Sequence, residues 1–169
     1  KNLGIIGGGQ LGTLLAVAAK KLNISTTIYC DDADAPAQNF CKKFICGNYD
    51  DKLEMQEFIK EIDVITYEFE NIPYETLNEM NKVKPVLPKP SVNRLIQHRI
   101  AEKDFVNKLN IRTTRYASIE SKSDMEPLGD FLPGILKTTT MGYDGKGQYP
   151  IKKIEDINNL NIDFSKGYI

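Results

Sequence analysis

A glycine-rich loop close to the carboxyl-terminal end is the part of the sequence best suited to chemistry. Residues 142–148 read Gly-Tyr-Asp-Gly-Lys-Gly-Gln and follow an apolar pair that ends at Lys137. Glycine permits close backbone approach, and successive N–H groups in such a loop can form a concave anion site. A lysine on each side of that site suits a polyphosphate. The same residues also suit the turn of a β-hairpin, which the loop chemistry alone slightly favours.

A second glycine-rich segment lies near the amino terminus. Gly7, Gly9 and Gly12 form the pattern GxGxxG between a short apolar run and a helical pattern. This context is typical of dinucleotide sites, and Asp31 stands about 20 residues later, where a ribose-binding acid would lie. Such glycines also serve tight turns and close helix packing without any ligand. Three alternatives stay open: a nicotinamide or flavin site, another anion site, and a nucleotide-free fold.

Acidic side chains follow an apolar strand pattern at residues 63–67. Glu68, Glu70 and Asn71 come directly after it. Ligands of parallel sheets gather beyond the carboxyl ends of the strands, and paired carboxylates bind amines or sugar hydroxyls or take part in acid–base chemistry. The commoner fate of such residues is an acidic surface loop. The two glutamates are therefore a hypothesis for substrate binding.

The elements that must position these residues alternate between strands and helices in the first half of the chain. Apolar periodicity predicts strands at residues 3–6, 25–30, 44–46 and 63–67, and helices at residues 11–22, 53–62 and 74–81. The alternation predicts a Rossmann-like α/β fold with a parallel sheet and right-handed crossovers. The first helix is expected to form one apolar face from Leu11, Leu14, Leu15, Ala18, Ala19 and Leu22.

Three prolines at residues 84–90 predict an extended linker and a domain boundary. The first domain is then residues 1–90 and the second residues 91–169. The second domain is predicted to contain a helix, a strand, an irregular or helical stretch, the hairpin, a short helix and a final strand, in that order at residues 91–109, 113–118, 121–131, 134–151, 155–160 and 167–169. Because the chain ends as a strand begins, we interpret it as part of a longer enzyme.

Composition excludes several classes of function. The 169 residues are 41% hydrophobic, and a net charge of −1 argues against a nucleic-acid-binding surface. No apolar run approaches the ~18 residues of a membrane span, so no membrane partner is expected. Three cysteines without CxxC spacing predict free thiols and a cytoplasmic location. His98 is the only histidine and cannot build a histidine-rich metal site.

Several local signatures now stand in one order along the chain. They are GGGQLG at residues 7–12, TYEFENIP at 66–73, QHRIAEK at 97–103, and Lys137 followed by GYDGKGQ at 142–148. Together they closely resemble the amino-terminal half of the N5-carboxyaminoimidazole ribonucleotide synthases, a family of the ATP-grasp superfamily. The resemblance implies a preATP-grasp α/β domain and a small α+β lid domain, ending before the large ATP-grasp domain.

The resemblance also implies an activity. Family members convert 5-aminoimidazole ribonucleotide, bicarbonate and ATP, with Mg²⁺, to N5-carboxyaminoimidazole ribonucleotide, ADP and phosphate, with carboxyphosphate as the intermediate. The Mg²⁺ ligands are expected outside this chain, so residues 1–169 alone are predicted to be inactive. A homodimer is the expected assembly. The rival hypothesis is an NAD(P)-dependent oxidoreductase domain that depends on GxGxxG and Asp31.

Site residues carry over from the resemblance position by position. Asp144 is the candidate to orient the reacting amine and is the expected catalytic residue. The expected substrate-binding residues are Gly9, Gln10, Glu68, Glu70, Tyr143 and Asp144. The expected ATP-binding residues are Arg99, Lys137, Gly142, Tyr143, Asp144, Gly145, Lys146, Gly147 and Gln148. Met141 stands where family members often have another glycine.

Overall fold

The computed structural model describes residues 1–142 and 145–169, which divide into two units, Lys1–Arg94 and Leu95–Ile169. Tyr143 and Asp144 lie outside the described residues. Among the described residues, no helix combines the length and the apolarity that a membrane crossing requires.

The first unit is built on a four-stranded parallel sheet, as predicted. Its strands are β1 (Asn2–Ile6), β2 (Ser25–Cys30), β3 (Lys43–Cys46) and β4 (Val64–Tyr67), in the spatial order β3-β2-β1-β4. The helices are α1 (Gln10–Lys21), α2 (Lys52–Lys60) and α3 (Tyr74–Asn81), with a 3₁₀ turn at Pro36–Phe40. Because β1 is central, the glycines that follow it lie between the carboxyl ends of β2 and β4.

Both faces of this sheet are covered, as the continuous apolar strands require. Ile5 and Ile28 are buried in one cluster together with Ala16 of α1. Ile6 is buried on the opposite side, because successive side chains of a strand alternate between faces. That second cluster also contains Phe58 of α2.

The predicted apolar face of α1 is correct for Ala19 but wrong for its leucines. The buried residues of this helix are the small ones, Gly12, Ala16 and Ala19, whereas Leu11 and Leu14 are 57% and 58% exposed. A Cβ atom on Gly12 would lie only 2.7 Å from the Gly7 carbonyl oxygen. The helix therefore approaches the sheet so closely that only small side chains fit between them, and the leucines point outward.

Residues 84–89 form no helix, as predicted, but α4 already begins at Pro90 and the segment before it pairs with the sheet. The Ile65 N–H donates to the Pro85 carbonyl at 2.8 Å, and the Leu87 N–H donates to the Ile65 carbonyl at 2.9 Å. The proline-rich segment thus adds a short parallel bridge to β4. The boundary between the two units falls after Arg94, inside α4 (Pro90–Ile96).

The second unit contains α5 (Arg99–Lys108) and the antiparallel hairpin of β5 (Gly134–Lys137) and β6 (Gln148–Ile151). Short 3₁₀ helices at Lys122–Phe131, Ile154–Asn159 and Phe164–Lys166 pack around it. Its buried cluster is formed by Ile119, Met125, Leu136, Ile151, Ile157 and Tyr168. Tyr168 bridges both Ile119 and Thr138, so the last residues continue the hairpin sheet.

The strand predicted at residues 113–118 is wrong. This segment is held against α5 by side chains and not by a backbone ladder. Lys103 Nζ donates to Thr114 Oγ1 at 3.0 Å, and the Tyr116 hydroxyl donates to Asp104 Oδ1 at 2.5 Å. Backbone pairing begins only at Ile119.

Candidate functional site

The late glycine-rich loop sits at the tip of the β5–β6 hairpin. Lys137 and Gln148 form the last strand pair before the loop, and the Thr138 N–H donates to the Gly147 carbonyl at 2.9 Å. The two interpretations of this segment are therefore compatible, because a hairpin carries the loop. Lys137 is half-buried at the point where β5 ends.

The Thr138 side chain lies close to both Gly142 and Gly147. We call these three residues the neck of the loop. A Cβ atom on Gly142 would lie 2.7 Å from Thr138 Oγ1, and one on Gly147 would lie 2.6 Å from the same oxygen. Gly147 also has φ of +65°, and Gly145 has φ of +80°. Glycine is required at these positions by close approach and by backbone conformation.

Arg99, at the start of α5, is joined to the same neck. Its backbone N–H donates to the Thr139 carbonyl at 2.9 Å, and its Nε donates to the Thr138 carbonyl at 3.1 Å. Its Nη2 donates to the Gly142 carbonyl. The residue predicted to contact ATP thus lies at the glycine-rich loop, with its guanidinium bound to the loop backbone.

A cavity of about 530 Å³ lies in the second unit beside Lys137. Its walls are mainly apolar and include Ile135, Leu132 and Ile169, with Thr114 and Lys103 as polar lining. This volume and this lining are typical of small-molecule sites. Lys137 therefore adjoins a hollow large enough for a nucleotide base.

The early glycine turn in the first unit is filled by a carboxylate of the protein itself. The Gly9 N–H donates to Glu68 Oε1 at 3.1 Å. Gly7 has φ of +100°, and a Cβ atom there would lie 2.6 Å from the same carboxylate oxygen. The structure thus brings the predicted residues Gly9 and Glu68 together, with Gln10 exposed next to them at the start of α1 and Glu70 half-buried two residues after Glu68.

The other glycines of the turn are also explained by internal packing. The Ala37 N–H donates to the Gly8 carbonyl at 3.0 Å, and a Cβ atom on Gly8 would lie 2.6 Å from that of Ala35. The segment after β2 therefore covers one side of the turn, and Glu68 covers another. In a dinucleotide site the pyrophosphate sits at this helix terminus. Here the Gly9 amide is already paired with an anion.

Cys30, at the end of β2, behaves as a structural thiol. It is buried, and burial raises the pKa of its thiol above the usual range. A raised pKa lowers the thiolate fraction and with it the reactivity of the sulfur. The three cysteines are free, as predicted, and this one serves packing.

Asn93 and Thr138 have structural roles that the sequence pattern does not predict. Asn93 is fully buried, and its Nδ2 donates to the Ile72 carbonyl at 3.0 Å, which anchors the loop that carries the two glutamates. A lone asparagine in a helical pattern gives no signal of such a role. Thr138 was visible only as a residue next to the loop, because its importance depends on three-dimensional proximity to Gly142 and Gly147.

Comparison with known proteins decides the family. Residues 1–97 match the family model of the ribonucleotide synthetase preATP-grasp domain, and residues 104–167 match the ATP-grasp domain. The chain belongs to the ribonucleotide synthetase preATP-grasp family. The predicted α/β fold followed by ATP-grasp elements is thereby confirmed.

Relatives of this preATP-grasp chain include enzymes of purine synthesis. It is 40% identical over 160 residues to the bifunctional purine synthesis protein purC/E of Dictyostelium discoideum, covering 92% of this chain and 16% of that protein. It is 36% identical over 162 residues to the N5-carboxyaminoimidazole ribonucleotide synthase of Brucella melitensis, covering 95% of this chain and 45% of that enzyme. The chain thus spans less than half the length of these curated relatives.

Solved structures agree with the sequence relatives. The ADP complex of an N5-carboxyaminoimidazole ribonucleotide synthetase superimposes with a TM-score of 0.87 at 33% identity, covering 94% of this chain and 43% of that one. The resemblance stated from the motifs is therefore confirmed at the level of the family and the fold.

Proposed function

We propose that this chain supplies the preATP-grasp unit and the first part of the ATP-grasp unit of an ATP-dependent ligase of purine synthesis. The reaction carboxylates 5-aminoimidazole ribonucleotide with bicarbonate and releases ADP and phosphate. The observation that carries the proposal is the glycine-rich loop, built on a hairpin beside Lys137 and a cavity of about 530 Å³. The names of the relatives support the choice of reaction.

ATP is proposed to bind with its base in the cavity and its phosphates under the loop. Lys137 lines the cavity and ends β5, so its ammonium group can reach a phosphate next to a bound base. Loop amides would add hydrogen bonds to the phosphate oxygens. The residues proposed for ATP are Arg99, Lys137 and the loop residues Gly142, Tyr143, Asp144, Gly145, Lys146, Gly147 and Gln148.

The proposed chemistry has two steps. A bicarbonate oxygen attacks the γ-phosphorus, and ADP leaves with the electron pair of the broken P–O bond. The substrate amine then attacks the carboxyl carbon of carboxyphosphate, phosphate leaves, and the amine loses a proton. Phosphoryl transfer depends mainly on positioning and charge neutralisation, and a closed loop protects carboxyphosphate from water. Asp144 is proposed to orient the amine on the strength of the family resemblance.

The ribonucleotide substrate is proposed to meet the glycine turn of the first unit. Gly9 fixes one oxygen of Glu68 by its N–H, which holds the carboxylate in one orientation. A carboxylate has several acceptor sites, so Glu68 can still accept from a hydroxyl or an amine. Gln10, Glu70, Tyr143 and Asp144 complete the proposed substrate residues.

Mg²⁺ is proposed to enter as a complex with ATP. Among the described residues, no group of three or more histidine, cysteine, aspartate or glutamate side chains could hold a metal ion. The described part of the chain therefore does not fit a resident Mg²⁺ site. When bound to ATP, the ion would neutralise phosphate charge. Without such ligands, we expect no substrate-dependent ADP release from residues 1–169 alone.

Nucleotide binding separates this proposal from its rival. We expect the chain to bind ATP in calorimetry and not to bind NADH. Lys137→Ala should weaken ATP binding by about tenfold to a hundredfold, as expected for one charged hydrogen bond. Lys152→Ala, just beyond β6, is the matched control. NADH binding that Asp31→Ala abolishes, or unchanged ATP affinity in Lys137→Ala, would overturn the proposal.

The remaining proposals concern the cellular location, the oligomeric state and the partners of the enzyme. We propose a cytoplasmic homodimer whose partners are small molecules and not nucleic acids or membranes. The free cysteines support the cytoplasmic location and the net charge of −1 argues against a nucleic-acid partner, whereas the homodimer is proposed from the family resemblance alone.

A further inference from the structure

Among the described residues, the lining of the cavity in the second unit includes three cations but no aspartate or glutamate side chain. The cations are Lys103, Arg115 and Lys137. The Arg115 guanidinium already donates to the Asp130 carbonyl and stacks over the Phe131 ring at 4.6 Å. Lys137 is assigned to the phosphates of ATP above. Lys103 is thus the remaining cation of the described lining, and its charge has no role in the proposed function so far.

Neutral groups hold the Lys103 ammonium at the cavity wall. Its Nζ donates to Thr114 Oγ1 at 3.0 Å and lies 5.3 Å from the centre of the Tyr116 ring. Both partners line the same cavity, and none of the ion pairs between described residues includes Lys103. An ammonium has three donors, so the bond to Thr114 leaves donors for a ligand. A half-buried positive charge with neutral neighbours favours a ligand that offers an acceptor atom.

The position of Lys103 on α5 separates it from the phosphate end of the candidate site. Arg99 begins this helix at the glycine-rich loop, and Lys103 follows on the same face one turn later. Four residues of helix span about 6 Å. Because the loop is the proposed cover of the phosphates, Lys103 lies further from them than Arg99 does. Its ammonium is therefore better placed for the part of the nucleotide that occupies the cavity.

We propose that Lys103 is a specificity-determining residue, whose ammonium donates a hydrogen bond to a ring nitrogen of the adenine base of ATP. The assignment rests on the proposed function, because the cavity is taken as the site of the base. Adenine ring nitrogens are acceptors, which match a group that can only donate. The mainly apolar walls strengthen such a bond, since they lower the local dielectric constant. Arg99, Lys137 and the loop keep their proposed contacts with ATP.

Calorimetry with two ligands separates a contact with the base from a contact with the phosphates. We expect Lys103→Met, which keeps an unbranched side chain and removes the charge, to weaken ATP binding by about tenfold or more. Inorganic tripolyphosphate has no base, so we expect its affinity to stay unchanged. That unchanged affinity also shows that the variant is folded around the loop. Equal weakening of ATP and tripolyphosphate binding would overturn the assignment to the base.

Analogues of ATP in which a C–H group replaces the N1, N3 or N7 atom identify the acceptor. We expect one of these analogues to bind the wild-type chain about tenfold more weakly than ATP does. The same analogue should lose no further affinity in Lys103→Met, because the donor and the acceptor belong to one hydrogen bond. If every analogue loses as much affinity in Lys103→Met as ATP does, Lys103 does not contact a ring nitrogen and the proposal is overturned.

Lys108→Met is the matched control on the same helix. Lys108 is exposed and lies outside the described lining of the cavity. We expect this variant to bind ATP as the wild-type chain does. A loss equal to that of Lys103→Met would mean that removing any positive charge from α5 weakens binding, which would overturn a specific role of Lys103.

The wild-type chain distinguishes failure of this assignment from failure of the proposed function. If the wild-type chain does not bind ATP, the proposed function fails and the assignment fails with it. If the wild-type chain binds ATP and Lys137→Ala weakens that binding, but Lys103→Met does not, the proposed function stands and the role of Lys103 alone is overturned.

Discussion

At the scale of single residues, the contact between Glu68 and the glycine turn decides what the first unit can bind. The carboxylate accepts from the Gly9 N–H at 3.1 Å, where an anionic ligand would compete for the same donor. Two anions cannot share that donor without strong repulsion. A pattern that is typical of dinucleotide sites therefore serves here to orient a glutamate.

Replacing Gly7 tests how tightly this turn is built. Gly7→Ala should lower the free energy of unfolding by roughly 2–5 kcal/mol, because it combines φ of +100° with overlap onto Glu68. Urea denaturation provides the measurement. Gly129→Ala is the control, since nothing lies within 4 Å of a Cβ there. In Gly7→Ala/Glu68→Ala the two changes should be less than additive; full additivity would contradict the proposed overlap.

The positive φ of Met141, just before the glycine-rich loop, has a cost in stability that a substitution can measure. Its φ of +58° costs about 1–2 kcal/mol, and glycine would remove that cost while adding about 0.5–1 kcal/mol of chain entropy. Met141→Gly should therefore raise the unfolding free energy of the chain slightly, by less than about 1.5 kcal/mol. Met141→Ala, which keeps the strain, should not. A destabilised glycine variant in thermal unfolding would show that the side chain of Met141 contributes packing that outweighs the strain.

At the scale of elements, apolar periodicity predicted most of the first unit but not the orientation of its first helix. All four strands and α3 were predicted within two residues at each end, because each combines a clear apolar pattern with polar or turn-forming residues beside it. The orientation of α1 was missed, because hydrophobicity alone cannot show that Gly12 packs against the Gly7 carbonyl. Likewise, residues 113–118 have a strand composition but pair through side chains.

The start of α2 carries a cap whose contribution can be measured. Asp51 accepts from the Leu53 and Glu54 N–H groups at 3.0 and 3.1 Å. Asp51→Ala should cost about 1 kcal/mol of stability, since two helix donors lose their partner. Asp50→Ala, one residue earlier, should change stability by less than about 0.5 kcal/mol. Equal effects in chemical denaturation would remove the cap from the explanation.

Acid stability of the second unit should depend on Asp124. The N–H of Glu120, together with the hydroxyl and N–H of Ser121, holds the pKa of this carboxyl below its ordinary value of 3.8. A depressed pKa contributes stability that is present above the ordinary value and is lost as pH falls through the folded value. Asp124→Asn should therefore flatten the fall in unfolding free energy below about pH 4. An unchanged slope would contradict this assignment.

At the scale of the whole molecule, the sequence motifs predicted the family, but they did not predict the hydrogen bonds that hold the candidate site together. The motif at residues 142–148 identified the loop because its glycines are required by conformation and close approach. The hydrogen bonds from the Arg99 guanidinium to the Thr138 and Gly142 carbonyls could not be predicted, since they join residues about 40 positions apart through backbone carbonyls that carry no sequence signal.

At this scale we predict that the chain self-associates through the exposed leucines of α1. The proposed homodimer can be tested on α1, whose Leu14 is 58% exposed. We expect Leu14→Lys to shift sedimentation of the chain towards the monomer, because it places a charge in an apolar stripe. Leu109→Lys, equally exposed at 56% but outside α1, should not. If only the control variant dissociates, or neither does, α1 is not the dimer surface.

The hydrogen bond between Gly9 and Glu68 constrains the order in which the first unit folds during synthesis. The two residues are 59 positions apart, and Glu68 directly follows β4, a strand that pairs with the central β1. During synthesis on the ribosome, the amide of Gly9 emerges long before its acceptor, so the turn stays unfinished until β4 has left the exit tunnel. Pairing of β4 with β1 then completes the four-stranded sheet and brings the carboxylate to the Gly9 amide in the same event.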